Sequence, residues 1–445
     1  MKFFECISGL FRDADKLQAS SRSGSRLCAG LLALVASWPF VAASTVLDLP
    51  TAQTIALSEN PGIAEMQERY EALREVVPQQ GSLPDPIVSL GAMNFPWDEL
   101  DRNQEPMTQL QVGVSQAFPF PGKLDIREDI ALFEATAASH SLAEMRLNLS
   151  KNVSLSWWDL YFLDRSLDTV EKNLTLLRQF VDIATTKYEV GKGLQQDVLL
   201  AQLELSKALD NQIRIKAMRD RGRIKLNLLL GRAPDITIEL PEHIPGTEQP
   251  IDNQAVLYER AERARPVLAQ KEAVIDASGQ RLELAKKDYY PDFKLGVSYG
   301  NRDEDQLGQS RQDFLSVMLS VNVPLYAGTK QDRAVQQRTR ELARSRYALT
   351  DTKNLVRASI AEAVTDYKRA SEQVVLFDEG IIPQARQTVE SMTAGYQVDK
   401  VDFLNLVRSQ VSLFNYELQY WKSYTEVNQA LARLQAAVGE ESIYE

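Results

Sequence analysis

Cysteine and histidine are almost missing from this 445-residue chain. It has two of each: Cys6, Cys28, His140 and His243. Both cysteines fall in the first thirty residues, so the remainder can form neither a disulfide framework nor a Cys/His metal cluster. Other signatures of chemistry are missing too. There is no Gly-rich phosphate loop, no nucleophile elbow and no pair of histidines at ligand spacing. His140 lies among small residues in a helical pattern and reads as a packed or solvated side chain. Trp157-Trp158 reads as core or interface, and Tyr416, Tyr420 and Tyr424 as an i, i+4 packing stripe. The expectation is a protein with no catalytic residue, no cofactor and no metal ligand, hence no enzyme. A long apolar run is also lacking. The longest, residues 27–38, is too short to cross a bilayer comfortably as a helix. Acidic residues outnumber basic ones by 61 to 50. That argues against a nucleic-acid partner and suits a lumen that passes cations.

The N-terminus is a secretory signal by pattern. Lys2, Arg12, Lys16, Arg22 and Arg26 form a basic region, residues 27–38 an apolar one, and Val41-Ala42-Ala43 supplies small residues for cleavage. Residues 1–43 are therefore expected to be removed, leaving Ser44 as the first residue. Cys28 follows Ser25-Arg26-Leu27 inside the apolar region, which does not fit a lipoprotein signal. The mature chain is expected to contain no cysteine.

What the sequence does have is a duplication. The stretch 188–205 returns 208 residues later as 396–413, with Tyr188, Val190, Lys192, Gln202 and Leu205 recurring as Tyr396, Val398, Lys400, Gln410 and Leu413. Each copy sits between two long ladders of apolar residues spaced three and four apart, the period of a coiled coil. The ladder Trp157, Leu160, Leu163, Leu167, Val170, Leu174, Leu177, Val181, Ala184, Tyr188 is one example. Gly191 and Gly193 mark a helix-to-helix turn. Each copy is thus the tip of a helical hairpin whose first helix begins near Lys123 in the first half and measures about 100 Å at 1.5 Å per residue.

Before each hairpin come two short alternating segments. Residues 86–95 and 108–118 form one pair. In the other, Phe293, Leu295, Val297, Tyr299 and Leu315, Val317, Leu319, Val321, Val323 alternate with small or polar residues such as Gly296, Ser298, Ser316, Ser320 and Asn322. Alternation predicts strands with one apolar and one polar face, close to the length of a transmembrane β-strand. The polar face suits a water-filled barrel. A proline within each preceding helix, Pro61 and Pro266, marks a start or kink. The organisation follows: signal peptide 1–43; first repeat 44–232; linker 233–252, expected as a surface loop; second repeat 253–439; tail 440–445.

A strand pair and a long helical hairpin, both duplicated behind a signal peptide, resemble the TolC family of outer-membrane efflux proteins over essentially the whole mature chain. Leu83-Pro84-Asp85-Pro86, Glu105-Pro106-Met107 and residues 115–123 look like its heavy-metal branch, the cobalt–zinc–cadmium and copper–silver type. The resemblance implies a mainly α fold with short transmembrane β-strands. It implies a homotrimer that closes a 12-stranded β-barrel in outer-membrane lipid, continued by an α-helical barrel through the periplasm of a Gram-negative bacterium. It implies a passive duct working with a periplasmic adaptor and an inner-membrane RND-type pump. Drug efflux and type I protein secretion are alternative cargoes. In the family the second-half tip helix often carries aspartates that narrow the periplasmic mouth. Here those positions are Asn405 and Arg408, so the pattern departs, while Asp197, Asp399 and Asp402 lie nearby. The adaptor-docking residues implied are Gly191, Lys192, Gly193, Leu194, Asp399, Lys400, Val401 and an exposed Phe403, with two tips that are not equivalent. Two rival classes remain. A periplasmic adaptor would have one hairpin flanked by small β-domains, and a soluble coiled-coil scaffold would need neither signal nor alternating strands.

Overall fold

The computed structural model describes residues 46–244 and 251–440. The expected signal peptide, its cleavage point, linker residues 245–250 and residues 441–445 lie outside this range. Helices α1 (Leu49–Glu59) and α2 (Pro61–Gly81) lead into strands β1 (Ile87–Met93) and β2 (Gln109–Phe118). The first hairpin is α3 (Lys123–Glu189) and α4 (Gln195–Leu229). The second half repeats this order with α5 (Gln254–Ala264), α6 (Pro266–Lys287), β3 (Phe293–Asn301), β4 (Phe314–Val321), α7 (Gln331–Val375), α8 (Ile382–Gln397) and α9 (Phe403–Val438). No described helix is long and apolar enough to cross a membrane.

Local chemistry sets these limits. Asn60 ends α1 and caps α2, its side chain accepting from Gly62 N at 2.9 Å, and Pro61 takes the first helical position where its missing N–H costs nothing. Helix α3 runs 67 residues because nothing between Lys123 and Glu189 is glycine or proline. The matching helix of the second half is interrupted. Residues Leu376–Ile381 form a π turn between α7 and α8. Pro383 follows it and cannot donate to the carbonyl four residues back. A π turn closes its ring over one more residue than an α turn, and the repeat offset shows where that residue goes. Before the turn, buried Leu149, Val153 and Trp157 match buried Val356, Ile360 and Val364, 207 residues on. After it the offset is 208, as at Tyr188 and Tyr396.

The four strands form one antiparallel sheet in the order β1-β2-β3-β4. Val88, Val114, Val297 and Val317 stand in one row across it, and Leu90, Val112, Tyr299 and Leu315 in another. This face is apolar and exposed in the single chain. The opposite face carries Ser89, Gly113, Ser115, Gly296, Ser298 and Ser316, with Gln111 donating to Ser298 Oγ at 2.5 Å. The alternation expected from sequence therefore sorts the side chains by face. Asn322 and Val323 are exceptions, since β4 stops at Val321. They lie just past the strand, where Asn322 N donates to Asp292 O at 3.3 Å and the Asn322 side chain accepts the Asp292 N–H at 2.5 Å.

The helices pack on their apolar ladders. Near mid-chain, Trp157, Trp158 and Tyr161 join Leu226, Leu230, Ala52 and Ala56, and Trp157 Nε1 donates to Leu47 O at 3.0 Å. The described part of the linker runs over the surface, with residues 233–237, 239, 242 and 243 exposed, and is pinned at one point. Ile238 is buried in this cluster. Its neighbours are held by donors from the helices: Arg219 to Ile238 O, Arg223 to Pro234 O, Asn227 to Ile236 O and Tyr161 to Glu242 O. An extended backbone that crosses helices must find such partners or leave buried carbonyls unpaired.

Both halves close with a left-handed glycine, Gly231 (φ 71°) and Gly439 (φ 88°), set against the α1/α2 and α5/α6 breaks. A Cβ at 231 would lie 2.6 Å from Glu59 O, and one at 439 would lie 3.0 Å from Ala264 O. Gly231→Ala is expected to destabilise by about 1–3 kcal/mol. Gly279→Ala, in α6 with nothing within 4 Å of the new methyl, is expected to stabilise by about 0.4–1 kcal/mol. Denaturant midpoints of the two variants against the parent check both signs.

Candidate functional site

The two tips share one backbone plan. At the first, Gly191 N donates to Tyr188 O at 3.0 Å, Lys192 N to Lys187 O at 2.9 Å, and Asp197 N to Leu194 O at 3.1 Å. At the second, 208 residues on, Asp399 N donates to Tyr396 O at 3.2 Å, Lys400 N to Gly395 O at 2.9 Å, and Asn405 N to Asp402 O at 3.1 Å. Gly191 (φ 72°) and Asp399 (φ 61°) take the same left-handed position, which aspartate tolerates better than most residues. The expected inequivalence of the tips is therefore confined to side chains.

Those side chains compensate one another. A Cβ at Gly193 would meet Lys187 Cβ and Tyr188 N at 2.9 Å, while one at Gly395 would meet Val401 Cγ2 at 2.5 Å. Position 187 is large where 193 is small, and 395 is small where 401 is large. Gly193 thus makes room for its own chain at Lys187 and Tyr188, while Gly191 faces open space. Phe403, expected to be exposed, is 1% exposed. Its ring sits 5.0 Å from that of Tyr396 and 6.4 Å from that of Phe180, because the first residue of α9 faces the ladder of the other hairpin. Lys192, Leu194, Asp402, Asn405, Lys400 and Arg408 are exposed. Spacing of three puts Asp402, Asn405 and Arg408 along one side of the start of α9. Asp402 holds the N-cap position, but its carboxylate makes no capping hydrogen bond.

The tips also hold each other. Lys187 donates to the carboxylate of Asp399 and to Tyr396 O, with its ammonium 4.5 Å from the Tyr396 ring centroid. Tyr396 Oη donates to Asp197 Oδ2 at 3.4 Å. Deeper along the same seam Gln410 Nε2 donates to Asn173 Oδ1 at 2.9 Å, and both residues are buried. Asp197 is buried in this joint and does not stand on an open rim. Burial lifts its carboxyl above the ordinary 3.8, the bond from Tyr396 works the other way, and Asp402 adds to the rise. Burial and the Asp197 charge together push the Tyr396 hydroxyl up to about 12. The Lys187 hydrogen bond holds Asp399 below its ordinary value. The Lys187 latch had no signal in the sequence beyond the repeat itself, since position 187 is not conserved between the halves.

No group of three or more His, Cys, Asp or Glu residues among those described could hold a metal ion. An exposed apolar sheet face, a polar opposite face and about 100 Å of paired helix ending in two matched tips suit a membrane-anchored protein with a long helical extension. Comparison with known proteins agrees. The family described as "Outer membrane efflux protein" matches residues 54–232 and 257–440, and the chain belongs to that family. Its site is the outer membrane. Among curated relatives, the outer membrane efflux protein BepC of Brucella suis biovar 1 is 22% identical over 231 residues, covering 51% of this chain and 49% of BepC. The alkaline protease secretion protein AprF of Pseudomonas aeruginosa is 24% identical over 248 residues, covering 54% and 51%. The chain thus spans about half the length of these two relatives. The cobalt-zinc-cadmium resistance protein CzcC of Cupriavidus metallidurans is 20% identical over 321 residues, covering 72% and 74%. Solved structures share the fold. The outer-membrane channel OprN superposes with TM-score 0.75 at 18% identity over 88% of this chain and 89% of its own. CusC, whose crystal structures concern folding and transmembrane channel formation, gives 0.75 at 14% identity over 88% and 92%.

The two carboxylates at the joint carry opposite signs. Asp197 has a raised value, so its ionised form costs the fold. Its contribution is full below about pH 3.8 and is lost as pH rises through the raised value. Asp399 has a lowered value, so its contribution is present above pH 3.8 and lost as pH falls. At pH 7 Asp197→Asn is expected to raise amide protection across residues 195–205, and Asp399→Asn to lower it. Both differences should shrink below pH 3.8. Hydrogen exchange at both pH values checks this.

Proposed function

We propose that three copies of this chain close a 12-stranded β-barrel in outer-membrane lipid and continue it as a helical tunnel into the periplasm. The tunnel passively carries cargo from a periplasmic adaptor and an inner-membrane RND-type pump to the exterior. The observation that carries the reading is the two-faced sheet. Its apolar rows have no partner among the described residues and need a hydrocarbon surround, while its Ser/Gly/Gln rows suit water. Both edge strands, β1 and β4, also lack neighbours, and lipid tolerates no unpaired backbone edge.

The cargo we infer is heavy-metal cations. CzcC is matched over a larger share of its length than BepC or AprF, and the chain carries an acidic excess. The likeness to AprF supports a second reading, a protein-secretion duct. Deleting the gene and measuring growth on cobalt, zinc, cadmium, copper and silver decides between them. Metal tolerance at the parental level, with loss of a secreted protein, would favour secretion.

The adaptor meets the tips, which stand at the far end of the helices. Lys192, Leu194 and Lys400 are exposed there. Gly193 is unsuitable for testing this, because any side chain there meets Lys187. Lys192→Glu with Leu194→Asp is expected to leave folding and assembly intact while lowering adaptor cross-linking and resistance at least tenfold. Parental cross-linking in an assembled variant would reject docking at this turn. For the sheet, Leu319→Arg is expected to cost about 2–4 kcal/mol of stability in lipid. Ser320→Arg is expected to change single-channel conductance instead. Equal impairment of assembly by both would reject the face assignment.

A further inference from the structure

The two halves of the chain meet along a seam that has a free counterpart on each outer side. At the sheet, β2 of the first half pairs with β3 of the second, placing Val112 opposite Tyr299, Val114 opposite Val297 and Gln116 opposite Leu295. Just below, Lys123 at the start of α3 is 3% exposed and lies between Asp288 and Asp292, each 3.0 Å from its ammonium. Asp292 also accepts the Phe120 N–H at 2.8 Å. Buried between carboxylates, this lysine fixes the height of one half against the other.

The repeat supplies the equivalent of each partner. Pro84-Asp85 recurs as Pro291-Asp292, and Lys123 recurs as Lys330, both at the offset of 207 that the buried ladder of α7 follows. Asp85 and Lys330 are exposed, at the outer edges of the sheet, where β1 and β4 have no neighbour. The helices show the same asymmetry. Gln429 and Gln410 of α9 bond to α3, and Val407 and Ala436 on that face are 3% and 4% exposed. Their equivalents on α4, Leu199 and Leu228, are 57% and 73% exposed. A face that is covered in one repeat and bare in the other is matched by a second copy of the same chain.

We propose that the seam between two copies repeats the seam inside one, with Asp85 against Lys330 of the second copy and Leu90 opposite that copy's Leu319. Strand β1 matches β3 at an offset of 207 and β2 matches β4 at 205, as Pro119 and Pro324 align and as the β1–β2 and β3–β4 registers require. Carrying the β2–β3 register over with these offsets puts Val88 opposite Val321, Leu90 opposite Leu319 and Ala92 opposite Val317. No equivalent of Asp288 exists, so Lys330 meets one carboxylate where Lys123 meets two. The inference rests on the proposed assembly of three copies and adds its register and its ion pair.

The chain's poverty in cysteine makes the test direct. In a Cys6→Ser, Cys28→Ser background, Leu90→Cys is combined in turn with Leu319→Cys, Val317→Cys and Val321→Cys. Membranes are oxidised with copper phenanthroline and run without reductant. Residues directly opposite stand about 4.5–5.5 Å apart at Cβ and diagonal ones about 7–8 Å, beyond ordinary disulfide reach. Covalent dimers and trimers are expected from the Leu319 pair and not from the other two. Cross-linking at a displaced pair instead overturns the register and leaves the assembly standing. No cross-link from any pair overturns the seam where light scattering of the solubilised protein gives three copies, and overturns the assembly as well where it gives one. For the ion pair, Asp85→Lys and Lys330→Asp are each expected to lower the temperature at which trimers dissociate on semi-native gels, and the double exchange to recover at least half of the loss. A double variant no better than either single removes the ion pair from the proposal.

Discussion

Unpaired backbone is the constraint on which this architecture turns. Each strand of the sheet brings a row of N–H and C=O groups, and the two outer rows, on β1 and β4, have no neighbouring strand among the described residues. In water such edges are tolerated; in hydrocarbon each unsatisfied group costs several kcal/mol. The apolar face therefore cannot be buried in lipid by one chain acting alone. Everything below the sheet is arranged compatibly with that demand. The strands run straight into helices through short turns, and the lysine at the first of these junctions locks the two halves at one height. The helices then continue the wall away from the membrane, where their backbones satisfy themselves and edges cease to be a problem.

Most of this was legible in the sequence because it rests on periodicity. Period-two runs marked all four strands and their faces, and the three-four ladder marked the hairpins. The repeated Tyr-x-Val motif located both tips. What escaped was decided by contacts between segments distant in sequence. Phe403 looked like an exposed aromatic in a charged turn, yet it fills the space between Tyr396 and Phe180 of the other hairpin. Nothing in the sequence showed that Gly193 is small because its own chain, at Lys187 and Tyr188, fills the place of a side chain. The linker is the polar surface loop expected for most of its described length, yet Ile238 is a core residue and side-chain donors from α4 hold its carbonyls. Asn322 continues the alternating pattern, but its role as acceptor of the Asp292 N–H just past β4 had no signal in the sequence.

The tips illustrate how a duplicated element keeps its backbone while its side chains diverge. The hydrogen-bond pattern and the left-handed residue are retained, though one copy uses glycine and the other aspartate. Steric partners have changed together, Lys187 with Gly193 and Gly395 with Val401. Divergence has also produced charges that bond the copies to each other. Lys187 of the first tip holds Asp399 of the second, and Tyr396 of the second reaches Asp197 of the first. Sequence comparison of the halves reveals the shared positions but not these bonds, which join positions that are not equivalent.

The π turn at Leu376–Ile381 gives the two hairpins different mechanics. The first hairpin rises on an unbroken 67-residue helix, a strut that can bend only by straining many hydrogen bonds at once. The second rises in two lengths that meet where the ladder of α-type bonds is already interrupted and Pro383 withholds a donor. A lateral load on the two tips would therefore be taken up unevenly, with the second arm pivoting at this elbow while the first stays upright.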